Sequence, residues 1–388
     1  MADSKARPEE IRALAGVRAF PPLLIILFHF GEGHHYTGWR WLDLLAARGY
    51  LWVEFFFALS GFILTHVYGA RVAQLFTGAG YSSFLKSRLM RLYPVHLFML
   101  FALLLLTLAA KGFSQLDGMP SIYELAYHPD IQVKGFVLSL FLVHAWHTMD
   151  RLTWNGASWF VSVEFALCLM FPLYVWLANG KAWRGVALIA AGIAGLAVLN
   201  ATSKHGLDIT FDYGVLRGMA DFAIGVGMAV LYRDLKPRDA LPRWAHSVIQ
   251  AALLFVLLYA FYHNGWAHNA RDIWIALPML ALILALSFDR GLVADALKNR
   301  ATQLMGAWSY AVYMGQTFWL QAIRIFEQHY PPPDTMVAGM RFSTLIWWLE
   351  PVLLVLVCIG WGALLAVAVE HPAAAALKRY FDNRKDQK

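Results

Sequence analysis

Ionisable and hydroxyl-bearing side chains recur inside runs that are otherwise apolar, and their spacing says what they could do. Arg18 and His29 lie eleven residues apart in the first such run. On one unbroken helix that is about three turns, so both would project from one face about 16 Å apart. Glu54 stands among aromatics in Trp52-Val53-Glu54-Phe55-Phe56-Phe57, where an unpaired carboxylate is expensive and calls for a partner. Arg88 and Arg91, three apart, share a helix face and could clamp phosphates, whose geometry guanidinium forks match. Ser158 and Ser162 are one turn apart, with Trp159 and Glu164 in the same run. Arg217 and Asp221 are one turn apart and could pair with each other, while Ser309, Tyr313 and Gln316 share a face with Tyr310 beside them. A histidine beside a carboxylate is the arrangement that deprotonates a hydroxyl, because the carboxylate orients the ring and stabilises its cation.

Whatever holds these groups is a membrane domain. The chain has 388 residues, of which 59% are hydrophobic and 15% charged, with a mean hydropathy of +0.51. Soluble domains carry roughly 25% charged residues, so a sizeable soluble catalytic domain is excluded. Apolar helical runs fall at about 12–30, 49–70, 91–110, 133–146, 158–179, 183–199, 215–232, 244–262, 272–288, 304–323 and 344–369. The run at 133–146 is shorter than the ~17 residues a crossing needs, which favours a re-entrant or interfacial piece.

Charge parity agrees. With 133–146 left out and the N-terminus inside, the basic connections around Arg71, Lys86 and Arg88, Lys181 and Arg184, Arg233 to Arg243, and Arg290 to Arg300 all fall on the inner side, as does the tail. Counting 133–146 as a crossing would put several of them outside, against the positive-inside rule. The expectation is an all-α polytopic bundle of about ten membrane helices plus one short helix near 133–146. Residues 1–376 form the membrane domain and 377–388 a basic cytoplasmic tail. The net charge of +7 is then a topology signal and no evidence for nucleic acid. The start, MADSKARPEE, has no small-residue cleavage site and reads as a retained cytoplasmic end. Cys168 and Cys358 sit inside apolar runs, so neither a disulfide framework nor a metal site is suggested.

In this topology His29, Glu54, Ser162, Glu164 and Arg217 fall in the outer half, and Arg88 and Arg91 at the inner mouth. Plainer readings exist for each. Arg18 could snorkel, Arg88 and Arg91 could be ordinary inner anchors, and Ser60-Gly61 could serve close helix packing. The outer aromatics, among them His34, His35, Trp39, Trp41, Trp146 and His147, could be interfacial anchors or a sugar-stacking platform.

Taken together and in order, the motifs resemble the acyltransferase-3 family of membrane O-acyltransferases. Ile11-Arg12-Ala13-Leu14-Ala15-Gly16-Val17-Arg18-Ala19-Phe20 followed by Leu27-Phe28-His29 resembles its opening Arg-x10-His segment. Val53-Glu54-Phe55-Phe56-Phe57-Ala58-Leu59-Ser60-Gly61-Phe62 resembles its second-span signature, with Glu54 where Asp is commoner. Arg88-Leu89-Met90-Arg91-Leu92-Tyr93-Pro94 resembles its basic motif, Ser158 to Glu164 its Trp-Ser-Leu-Ser-x-Glu motif, and Arg217 with Phe222 and Gly225 a later one.

The resemblance implies transfer of an acyl group, acetyl above all, from cytoplasmic acetyl-CoA to a hydroxyl of an extracytoplasmic or lipid-linked sugar, in a bacterial inner membrane with both termini cytoplasmic. It implies His29 as base, supported by Glu164 or Glu54, and Arg18, Arg88 and Arg91 on the acyl donor. Trp159, Ser162, Arg217, Tyr310, Tyr313 and Gln316 would face the substrates. No metal is implied. Phe160 stands in place of the first Ser of its motif, which would narrow the pocket, and Gln316 stands where many members carry His, which shifts weight onto His29. A transporter or flippase of a glycan or small metabolite is the rival reading, since buried charges mark pathways in general.

Overall fold

Apolar runs of this length have one solution in lipid. The backbone must satisfy its own hydrogen bonds, and a helix does so within the segment. The computed structural model describes residues 9–33, 40–117, 129–264, 271–329, 336–337 and 340–383. The helices are α1 (Arg12–Val17), α2 (Pro21–Gly33), α3 (Arg40–Ala46), α4 (Trp52–Tyr68), α5 (Val72–Leu75), α6 (Gly78–Asp117), α7 (Pro129–Leu140), α8 (Trp159–Ala178), α9 (Ala182–Thr202), α10 (Gly214–Leu235), α11 (Arg243–Asn264), α12 (Asp272–Ser287), α13 (Leu292–Ala296), α14 (Arg300–His329), α15 (Phe342–Leu365) and α16 (His371–Asn383). A two-residue antiparallel ladder, Met336–Val337 against Met340–Arg341, is the one extended pairing among the described residues.

Among the described residues, eight helical stretches are long and apolar enough to cross a membrane. The apolar but shorter α12 and the 30-residue α14 occupy the other two long runs read from the sequence, and the fold is an all-α polytopic bundle. The outward faces are greasy: Leu105, Phe141, Trp183, Phe255 and Leu356 are all more than half exposed, as lipid contact requires. The expected short piece near 133–146 is helical only to Leu140, and residues 141–155 follow as an irregular strap. The proposed boundary at 376/377 falls inside α16, and residues 384–388, like His34, His35 and Trp39, lie outside the described residues.

The first span departs from the unbroken helix assumed above. It stops at Val17, turns through Arg18–Phe20 and restarts at Pro21. Pro21-Pro22 supplies the reason: proline has no N–H to donate and crowds the helical conformation of the residue before it. Arg18 therefore caps α1, and His29 sits on a separate helix, α2.

Close crossings hold the core helices in register. A Cβ on Gly225 of α10 would lie 1.9 Å from the Ala58 carbonyl oxygen of α4, and one on Gly306 of α14 would lie 2.1 Å from the carbonyl oxygen of Ala15 in α1. Only glycine permits such approach, a common device where lipid removes the hydrophobic drive between helices. The second crossing matters most here, because it lays the Arg18 end of α1 against Ser309 and Tyr310 of α14.

Candidate functional site

Five helices, α1, α4, α6, α8 and α14, enclose a cavity of about 340 Å³. Its mouth is formed by Glu9, Glu10, His66 and Val67, and its interior carries Arg18, Arg88, Arg91, Ser60 and Glu164 on otherwise apolar walls. Each charged group reaches it for a local reason. The proline break ends α1 at Arg18, Arg88 and Arg91 sit one turn apart on the continuous helix α6, and Glu164 points from the second turn of α8. Ser60 Oγ donates to Glu164 Oε1. The other carboxylate oxygen, Oε2, is buried without a hydrogen-bond partner, and Arg88, Arg91 and Arg18 all act on the carboxylate electrostatically. Tyr310 and Tyr313 also line the cavity, and the Tyr310 hydroxyl donates to the Leu92 carbonyl oxygen. Three guanidinium groups share the cavity with Glu164, and Glu9 and Glu10 stand at its mouth, so an anionic guest seated inside would find cationic partners of matching geometry.

Sequence spacing had placed Glu164 with His29 and Glu54 in the outer half. The structure separates them. Glu164 belongs with the arginines, and Glu54 forms a two-pronged ion pair with Arg217, Nε to Oε1 at 2.9 Å and Nη2 to Oε2 at 2.7 Å, both side chains fully buried. Arg217 also donates to the carbonyl oxygens of Ile209 and Tyr50, each at 2.9 Å. It does not pair with Asp221, whose two carboxylate oxygens are buried without hydrogen-bond partners. His29 is outside the cavity lining, half-buried near the end of α2, with Nδ1 3.4 Å from Glu32 Oε2. A histidine–carboxylate contact is therefore present, with Glu32 in the place expected for Glu164 or Glu54.

Ser158 and Ser162 are occupied by the strap. Ser162 Oγ donates to the Leu142 carbonyl oxygen at 2.8 Å and accepts from the Ala145 N–H at 3.1 Å. Ser158 Oγ donates to the Asn155 carbonyl oxygen at 2.7 Å and lies 2.9 Å from His144 Nε2. A hydroxyl has one proton to give, so the ring nitrogen is the donor in that second contact. Burial, with His96 alongside, pushes the His144 ring down to about 3, so it stays neutral as a fixed post. These bonds hold a strap whose Leu142, His147 and Trp154 all take left-handed φ angles, conformations that cost about 1–3 kcal/mol each and persist where the surroundings over-determine them. Neither serine lines the cavity.

Trp159 faces Arg217 across a cation–π contact of 5.3 Å. Gln316 is fully buried, donates to the Tyr313 carbonyl oxygen at 3.1 Å and leaves Oε1 without a partner. Trp159, Ser162, Arg217 and Gln316 thus stand behind the cavity wall, while Arg18, Arg88, Arg91, Glu164, Tyr310 and Tyr313 line it.

Two features escaped the sequence reading. Glu370, in the π-helical turn Ala366–Glu370 that joins α15 to α16, acts electrostatically on Arg91 and Arg18 with Oε2 buried and unpartnered. Its signal was a lone acid closing the last apolar run. Arg48 and Asp272 pair at 2.7 Å in full burial, with the Tyr50 hydroxyl 2.9 Å from the same Asp272 oxygen. They stand at the ends of two spans, where charges look like interfacial residues.

Comparison with known proteins accounts for most of the chain. A family profile described as an acyltransferase domain matches residues 11–367. "Acyltransferase MdmB" of Streptomyces mycarofaciens is 26% identical over 330 residues, covering 79% of this chain and 78% of that protein. "Protein 2 in picA locus" of Rhizobium radiobacter is 32% identical over 169 residues, 42% of this chain and 78% of the relative. "Peptidoglycan O-acetyltransferase OatA" of Listeria monocytogenes is 20% identical over 330 residues, and the match covers 48% of its length. No solved structure matches. With the family profile running from the start of α1 into the turn after α15, the chain belongs to the acyltransferase-3 family and is a multi-pass membrane acyltransferase.

Proposed function

We propose that the protein is an O-acyltransferase that moves an acyl group, acetyl above all, from acyl-CoA to a hydroxyl of a surface or lipid-linked sugar. The observation that carries this reading is the convergence of Arg18, Arg88 and Arg91 on one cavity. Guanidinium groups suit the phosphates of the donor, and the apolar walls suit its aliphatic arm. The cavity opens at the end of the bundle where Arg71, Arg184, Arg233 and Arg290 gather in the connections. By the positive-inside rule that end is cytoplasmic, the side where acyl-CoA is made, with both termini on the same side of a bacterial inner membrane. The family membership and the O-acetyltransferase name of one relative support the reaction class.

His29 is the base in this reading. Nδ1 faces Glu32, which leaves Nε2 to take the proton of the acceptor hydroxyl. The oxygen attacks the thioester carbonyl, the carbon–sulfur bond breaks, and the thiolate leaves with the proton as free CoA. Direct transfer needs the fewest steps: Ser158 and Ser162 are engaged in holding the strap, and the Ser60 hydroxyl, which does line the cavity, is held by Glu164.

The test is release of free CoA thiol by membrane vesicles of the producing strain, with mass spectrometry of the glycan fraction for the added acyl mass. Wild type should release thiol and mark the glycan; His29→Ala should do neither while accumulating in the membrane. Transport of a glycan without thiol release would refute the reading and favour a flippase, and retained transfer in His29→Ala would remove the base assignment.

A further inference from the structure

The cavity has a blind end, and aromatic rings make it. Along α4 the lining runs from Val67 at the mouth to Phe56, along α8 from Glu164 to Phe160, and along α14 from Ser309 to Tyr313. The innermost residue of each run is aromatic, and the rings pack together. Phe160 lies 5.5 Å from Tyr313 and 6.0 Å from Phe56, centre to centre, and Phe56 lies 6.5 Å from Tyr313. Phe57 stacks on Phe160 at 4.7 Å. Phe160 is the hub, touching all three of the others.

The space below this closure is too short for the donor that the proposed function assigns to it. From Glu164, level with the arginines, to Phe160 is one helical turn, about 6 Å, and Ser60 to Phe56 is the same. If the arginines hold phosphates, the thioester hangs on a chain of about a dozen bonds, whose extended reach equals four residues, roughly 14 Å. The thioester end must pass the aromatic closure. The backbone there cannot yield easily, because Ser158 and Ser162 tie the first turn of α8 to the strap on either side of Phe160. The Phe160 ring makes no hydrogen bond, so it can turn aside at the cost of dispersion contacts alone.

We propose that Phe160 is the specificity-determining residue for the acyl donor, its ring closing the path of the thioester so that short acyl groups pass and longer ones do not. The inference rests on the cavity being the acyl-CoA site. Selection here is by volume, since the surrounding walls are apolar and would welcome a longer chain. In such a pocket one methylene already discriminates by roughly 10–200-fold.

The experiment compares kcat/KM for acetyl-, butyryl- and hexanoyl-CoA in membrane vesicles of the producing strain, read as thiol release above vesicles lacking the protein. Wild type should prefer acetyl-CoA. Phe160→Ala should raise the hexanoyl-to-acetyl ratio at least tenfold, and Phe160→Leu by less. A ratio unchanged in both variants, or a wild type that already uses hexanoyl-CoA as well as acetyl-CoA, overturns the proposal while leaving acyl transfer intact. If Phe160→Ala does not reach the membrane, Phe160→Leu carries the comparison, and a flat ratio there overturns it. A wild type that releases no thiol from any acyl-CoA defeats the proposed function, and this inference with it.

Discussion

Arg217 was expected to touch substrate, yet its geometry is that of a structural clamp, and Glu54→Ala separates the two roles. The guanidinium makes four hydrogen bonds, two to Glu54 and one each to the Ile209 and Tyr50 carbonyl oxygens, with no exposed surface on either partner. Glu54→Ala strips two of the four and leaves a buried cation without its counter-charge. Hydrogen bonds to charged groups contribute about 1.5–3 kcal/mol each, and removing one partner of a buried ion pair costs about 3–5 kcal/mol. The two estimates agree on roughly 3–5 kcal/mol. At about 2.1 cal/mol/K of unfolding entropy per residue, this chain would lose about 4–6 °C of melting temperature. Glu54→Leu combined with Arg217→Met should recover much of the loss, because apolar replacement of a buried pair is often close to neutral. Thermal unfolding of the protein in detergent, with KM for acyl-CoA measured in parallel, decides the matter. If Glu54→Ala melts with the parent, or if the double variant is worse than the sum of the singles, the clamp argument fails. If the melt holds and KM rises, Arg217 serves the substrate after all.

Other expectations follow from the same geometry. Arg88→Ala or Arg91→Ala should raise KM for acyl-CoA by about 10–100-fold, the equivalent of one charge-assisted hydrogen bond, with kcat little changed; an unaltered KM removes the donor role. Ser162→Ala orphans the Leu142 carbonyl and the Ala145 N–H, so amide hydrogen exchange across 142–147 should accelerate by an order of magnitude or more, and unchanged exchange would mean that the strap is held by other contacts. His144 binds its proton near 6.5 when unfolded and only near 3 in place. The contribution of its buried ring is thus complete above pH 6.5 and lost as pH falls toward 3. After correction for intrinsic rates, strap exchange should be faster at pH 5 than at pH 7.5 in the wild type and less pH-dependent in His144→Phe. Equal protection at both pH values would sink that argument.

The all-α bundle and the shortness of the helix near 133–146 were legible because they rest on a local property, apolar run length. The site was legible only in part, and the failures share a cause. Spacing along one helix put Arg217 beside Asp221, but the partner chosen is Glu54, 163 residues away, which no local rule can find. An eleven-residue spacing sets Arg18 and His29 on one rod only if Pro21-Pro22 between them is passed over, a signal that the unbroken apolar run masks. Distance from the start of its span places Glu164 in the outer half. In three dimensions the strap lowers that start into the bundle, so the second turn of α8 already meets the arginines. Ser162 looked like a substrate ligand because a serine gives no hint of whether its hydroxyl is already spent.

One dimension of α6 has a further consequence. The helix has 40 residues, about 60 Å at 1.5 Å per residue, twice the ~30 Å hydrocarbon layer it crosses. Between Arg91 and Lys111 it carries no ionised side chain, and those twenty residues measure about 30 Å. The two cations bracket a length that matches the hydrocarbon layer, while the turns before Arg91 pack against α8, with Phe84 on Phe171 at 5.3 Å. The arginine that faces the cavity is therefore also a depth gauge. Lipids with longer or shorter tails would tilt α6 or drag these cations off the boundary, coupling the rate of acyl transfer to membrane thickness with no change in any residue of the site.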